Sequence, residues 1–148
     1  MTLLSVKIIV TDMTGAFHHP INVLPGDIDH MGHVNNSVYL KWVQEAVVDY
    51  WEKVAPPDAV AEHLWIALSH QIQYRLPAFL DDLVIADVVA ERMNGARAFF
   101  TTVIKRGEDV VAEVHSVWCC LDAASRKPAR LAREVAARFF SPEAENPR

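Results

Sequence analysis

An α+β domain, with one long helix packed on an antiparallel sheet that wraps around it, is the fold class this sequence predicts. Three observations carry that expectation. Residues 35–54 have helical periodicity but only a narrow polar stripe (Lys41, Glu45, Asp49, Glu52, Lys53), so the helix is covered on most sides. Four segments rich in Val, Ile, Phe, Trp and Thr follow one another after the helix. Short turn signals separate them, Asn94-Gly95 above all.

The elements follow in chain order. Residues 5–11 (SVKIIVT) read as a short strand closed by an Asp-Met-Thr-Gly turn. Residues 17–24 read as a second strand, and Pro20 places it at a sheet edge or a bulge, because proline cannot donate to a ladder. Pro25-Gly26 ends it and a polar loop follows. The helix opens at Asn35 or Asn36, both good N-caps, and stops before Pro56-Pro57. Strands are then expected over 64–76, 83–92, 96–105 and 110–121, joined by Asp81-Asp82 and by the turns at Asn94-Gly95 and 106–109, as an antiparallel meander. Residues 129–140 read as a short amphipathic helix with Leu131, Val135, Phe139 and Phe140 near one side. The whole of 1–148 is expected as one domain, its core within about 14–122, with a frayed tail. Open sheet edges invite pairing with a second copy, so a homodimer or a dimer of dimers is expected.

Composition narrows the function. With 51% hydrophobic and 22% charged residues the chain can bury a core. No apolar run is long enough to span a bilayer, so no membrane partner is expected. The net charge of −5 argues against a nucleic-acid partner. Residues 123–148 are the exception, with six basic groups against three acidic ones: a solvated face, or a patch for an anionic ligand. The two cysteines, Cys119 and Cys120, are adjacent and would point to opposite faces of a strand, a poor geometry for a mutual disulfide. No oxidising compartment is implied, and the cytoplasm is the expected location.

Chemistry concentrates before the helix. Residues 26–36 (GDIDHMGHVNN) hold two carboxylates, two histidines and two asparagines. A helix start offers free N–H donors and partial positive charge. Asp27 and Asp29 alone would read as turn residues. Asp29, however, lies a few residues before the helix, within reach of a carbonyl bound to those N–H groups, where it could attack or activate water. His33 either orients that carboxylate or holds the loop, and His30 is expected at the surface. Gly32 permits a left-handed backbone. Asn35 and Asn36 cap first and contact a ligand second. Tyr39 and Trp42 read mainly as core, and Glu45 as surface. The spacing D-x-D-H-x-x-H is not a zinc pattern, so no metal is expected. No P-loop, G-x-G-x-x-G or G-x-S-x-G is present.

Asp27, Asp29, Gly32, His33, Val34, Asn35, Asn36, Tyr39 and Trp42 form D-x-D-x-x-G-H-V-N-N-x-x-Y-x-x-W. This resembles the signature of hotdog-fold acyl thioesterases, most of all the 4-hydroxybenzoyl-CoA thioesterase and acyl-CoA thioester hydrolase group. Residues 71–83 (QIQYRLPAFLDDL) are similar to that group's second characteristic stretch. The resemblance implies hydrolysis of acyl-CoA or acyl-carrier-protein thioesters without a cofactor, at a site between subunits. It implies Asp29 as nucleophile or general base, Asn36 as the residue whose N–H polarises the carbonyl, and His33 as the histidine of the plant-type branch. Gly32, Asn35, Val38, Tyr39 and Trp42 are then expected to contact substrate. Arg75, Lys105, Arg106, Arg126 and Lys127 are candidates for the CoA phosphates. Two positions depart from the plant-type pattern: Met31 stands where that branch has asparagine, and Leu76-Pro77 where it has an acid. The simpler arrangement, Asp29 with the helix start, fits better. The alternatives are a hydratase or dehydratase on the same fold and a non-catalytic acyl-CoA binding module.

Overall fold

The structure, a computed structural model, describes residues 15–141. The strand expected over 5–11 and most of the C-terminal tail lie outside them. The element order is β1 (Phe17–Ile21), α1 (Val38–Val54), α2 (Pro57–Glu62), β2 (His63–Tyr74), β3 (Val84–Asn94), β4 (Arg97–Arg106), β5 (Asp109–Asp122) and α3 (Arg133–Ala136). One five-stranded sheet has the order β1-β3-β4-β5-β2, all neighbours antiparallel. It curls around α1. This is the hotdog fold.

β3, β4 and β5 form a meander because two-residue turns join them. Gly95 and Gly107 hold φ of 64° and 61°, the left-handed backbone that hairpin turns need. β2 departs from the expected four-strand meander. It pairs with β5 at the far edge instead of with β3. Residues 75–83, with Pro77, make too long and stiff a connection for a hairpin, and β1 already occupies the free side of β3. β1 is an edge strand, which is how Pro20 is tolerated. It ends at Ile21, short of the expected Leu24, and a 3-10 turn over Pro25–Asp27 follows.

α1 buries Tyr39, Trp42, Val43, Ala46, Val47, Tyr50 and Trp51. The spacings of three and four put these on one broad face. All but Trp51 meet Val84, Ala86 and Val88 of β3, Phe100 and Ile104 of β4, and Ala112, Val114 and Trp118 of β5 in one core, while Trp51 packs in a second cluster with Ala55, Ala59 and Val135. α2 was not expected. Pro57 begins it, where proline's fixed φ suits a first turn. The C-terminal helix is four residues long, not the twelve expected. Its apolar positions still pack: Phe139 stacks on Trp51 and Phe140 contacts Phe100.

On the outer sheet face, Asp87 is almost fully buried, yet it accepts from His18 and from the Lys105 ammonium at 2.8 Å. Two donors make that burial tolerable. Cys119 and Cys120 are buried free thiols, and burial pushes Cys120 up to about 12. Among the described residues no helix is long and apolar enough to cross a membrane.

Candidate active site

The loop between Asp27 and the helix is tied at both ends. Asp27 is buried and its carboxylate accepts the Leu24 N–H at 2.9 Å, closing the 3-10 turn. Its carbonyl takes the Asn35 N–H at 2.8 Å. Ile28 bridges Val34, and Asp29 donates its N–H to the His33 carbonyl at 2.9 Å. Residues 28–34 are therefore a small tight loop, and Gly32, at φ 86°, supplies its left-handed residue.

This closure brings Asp29 and His33 together. Asp29 Oδ1 accepts the Met31 N–H at 2.9 Å and lies 3.9 Å from His33 Nδ1. The two side chains are 17% and 28% exposed, so both are sheltered without being sealed. His30 is exposed, as expected.

Asn35 sets the helix opening. Its side-chain oxygen accepts from the Ser37 N–H at 3.0 Å and the Ser37 hydroxyl at 2.9 Å, and its carbonyl accepts the Val38 N–H at 2.9 Å. The regular helix thus starts at Val38, with Asn35 capping from three residues before. Those bonds consume two N–H groups. The Asn36 N–H has no partner among the described residues.

A cleft of about 210 Å³ opens at this point, lined by His33, Val34, Asn36, Tyr39, Tyr74, Arg75, Leu76 and Pro77. Its far wall is the β2–β3 connection. Val34 donates to the Ala78 carbonyl at 2.8 Å, so loop and connection are fastened together. Tyr39 hydrogen-bonds the Ala78 backbone, and burial nonetheless pushes its phenol above its ordinary value. Tyr74 donates to the Asn36 carbonyl at 2.8 Å.

The chain matches the family model described as the thioesterase-like superfamily over residues 23–139. It belongs to that superfamily. It is 29% identical over 112 residues to the long-chain acyl-CoA thioesterase FadM of Escherichia coli, covering 73% of this chain and 85% of the relative. It is 24% identical to the acyl-CoA thioesterase YbgC of Haemophilus influenzae, covering 86% and 96%. Its structure is similar to that of the probable thioesterase YbaW of Escherichia coli, with a TM-score of 0.67, 26% identity and coverage of 82% and 94%.

Within this thioesterase-like chain, the residues singled out in the sequence are placed as follows. His33, Asn36, Tyr39 and Arg75 line the cleft; Asp29, 3.9 Å from His33, does not. Asn35 and Gly32 shape the loop. Val38 packs partly against the core. Trp42 is 1% exposed and reaches the cleft only through its edge contact with Tyr39. Arg75 is bound to Glu113 at 2.8 Å, Lys105 to Asp87 and Arg106 to Asp82, so these three cations are already paired. Arg126 and Lys127 are exposed. Among the described residues no group of three or more His, Cys, Asp or Glu is arranged to hold a metal. Tyr74 and Ala78 were not singled out. Their only trace in the sequence is that both lie in the 71–83 stretch.

Proposed function

We propose that this cleft hydrolyses acyl thioesters of coenzyme A or an acyl-carrier protein. One observation carries the reading: an unpartnered N–H, that of Asn36 in the turn before the helix, lies in the same cleft as His33, with the Asp29 carboxylate 3.9 Å from that histidine. A thioester carbonyl accepting from Asn36 gains a donor that strengthens as negative charge develops on oxygen. The helix dipole acts in the same direction.

Asp29 does not line the cleft, and direct attack requires reacting atoms about 3–3.5 Å apart. That favours Asp29 as general base over nucleophile. A water bridging the cleft to Asp29 loses a proton to that carboxylate, and its oxygen bonds to the carbonyl carbon. The C–S bond then breaks and the thiolate leaves with its electron pair. A thiol's pKa near 8.5 makes that departure easy without a strong acid. His33, beside the carboxylate, orients it and the water. Arg75 lines the cleft, bound to Glu113.

The curated relatives FadM and YbgC are named as acyl-CoA thioesterases, which supports this class of substrate. The test is thiol release across short, long and aromatic acyl-CoAs and an acyl-carrier protein. Turnover of at least one class is expected; no release from any would overturn the reading.

The working unit we propose is a homodimer. β2 pairs with β5 on one side only and exposes Leu64, Ile66 and Leu68 at 38%, 46% and 45%. An open, apolar edge strand is a template for a second copy. β2 also ends at Tyr74, in the cleft, so pairing there places the partner beside the site. Light scattering is expected to give a dimer or a multiple of it. A monomer at micromolar concentration would refute this assembly.

A further inference from the structure

The Asn36 N–H is useful only if it is held in one direction. Its peptide is fixed by the Asn35 carbonyl, which accepts from Val38. The next peptide, joining Asn36 to Ser37, has its N–H taken by the Asn35 side chain and its carbonyl taken by the Tyr74 hydroxyl at 2.8 Å. Tyr74 is the one contact in this set that comes from outside the loop. It arrives from the end of β2, 38 residues away.

We infer that Tyr74 is a positioning residue for the proposed reaction: its hydroxyl clamps the Asn36–Ser37 peptide and so holds the neighbouring Asn36 N–H toward the substrate carbonyl. This rests on the hydrolase reading of the cleft. Three observations support it. The Tyr74 ring packs edge-on against Tyr39 at 5.3 Å between centroids, so the hydroxyl is aimed by a rigid ring and not by a flexible stem. Tyr39 is itself held by the Ala78 backbone, and the Ala78 carbonyl holds Val34, so the clamp belongs to a closed frame. A phenol's ordinary value of about 10 already keeps the Tyr74 hydroxyl protonated and able to donate at neutral pH, and burial moves it further in that direction.

The frame also explains why an exposed tip is well placed. A carbonyl at a helix start can turn toward solvent, taking its peptide with it. Bonding it to Tyr74 removes that freedom before substrate arrives. Preorganised donors are effective because nothing need reorganise as charge develops.

The test is Tyr74→Phe, which removes one oxygen and keeps the ring contact with Tyr39. Steady-state kinetics on the best acyl-CoA are expected to show kcat lower by about tenfold, less than the loss of a direct oxyanion donor, with KM within about twofold. In parallel, amide hydrogen exchange at Ser37 and Val38, whose N–H groups are bonded to Asn35, is expected to quicken while the core of α1 is unmoved. A thermal melt confirms folding, and Tyr74→Leu, which also loses the ring, is expected to be slower still. An unchanged kcat in Tyr74→Phe with an active wild type would overturn the inference alone, as would a rise in KM that accounts for the whole loss. A wild type inactive on every thioester would overturn the hydrolase reading instead, while the exchange data would still decide whether Tyr74 holds the turn.

Discussion

Asp29→Ala is expected to lower kcat for thioester hydrolysis by at least about a hundredfold, the usual share of a positioned acid or base. The fold should survive. The Asp29 carboxylate makes one hydrogen bond within its own loop, to the Met31 N–H, and a bond of that kind contributes about 0.5–1.5 kcal/mol. A melting point within a few degrees of wild type, with activity nearly gone, separates chemistry from structure. Asp29→Asn sharpens the separation. An amide oxygen still accepts from Met31, so the loop keeps its shape, but the side chain can no longer take a proton from water at neutral pH. Asp29→Asn should therefore be as inactive as Asp29→Ala and more stable. Equal rates for wild type and Asp29→Ala would remove Asp29 from the mechanism. His33→Ala decides how the pair divides its work. A fall of about tenfold fits a residue that orients the carboxylate and the water; a loss as deep as that of Asp29→Ala would make His33, which lines the cleft, the proton acceptor itself.

The parts of the fold that could be read in the sequence are those decided locally. Periodicity placed α1 to within three residues, because its apolar positions recur at one face whatever lies opposite. Gly95 and Gly107 marked two hairpins, because a two-residue turn needs left-handed backbone there. The crossing of β2 to the far edge was not legible. Nothing in a strand's own residues says which neighbour it will choose once the connection is nine residues long. α2 was hidden by its first residue: Pro57 reads as a helix breaker, yet suits a first turn. The C-terminal segment misled in the opposite way. Leu131, Val135, Phe139 and Phe140 do pack as an apolar face would, but four helical residues and a turn suffice to do it.

The same division holds at the site. Asp29, Gly32, His33, Asn35 and Asn36 lie within eight residues, so their proximity was visible in the sequence. Which N–H groups remain free was not. It depends on the Asn35 side chain bonding Ser37 while its carbonyl bonds Val38, a detail of local geometry. On the far wall Arg75 and the 71–83 stretch were singled out, but not how that wall is fastened: Tyr74 and Ala78 reach Asn36 and Val34 only through tertiary packing.

That dependence of the cleft on the core sets the largest expected effect on stability. Trp42→Ala should destabilise the protein by about 3–5 kcal/mol, the range for deleting a buried aromatic side chain. Trp42 is 1% exposed and among the largest side chains in the core, and it meets Tyr39 edge to face at 5.0 Å. The alanine would leave a void between α1 and the sheet that close-packed neighbours refill only in part. Urea denaturation should show a lower midpoint at an unchanged slope, and the melting temperature should fall by about 10 °C or more. Trp42→Phe keeps a ring against Tyr39 and should lose about 1–2 kcal/mol. A change below about 0.5 kcal/mol in Trp42→Ala would mean that this side chain is not the support beneath the first turn. If the expected loss is found, activity should fall with it even under conditions where the variant remains folded. Tyr39 stands on Trp42, Tyr74 packs on Tyr39, and the Asn36 carbonyl hangs from Tyr74. A cavity under the first of these loosens the last, so the packing of one tryptophan and the aim of one backbone N–H are a single mechanical problem.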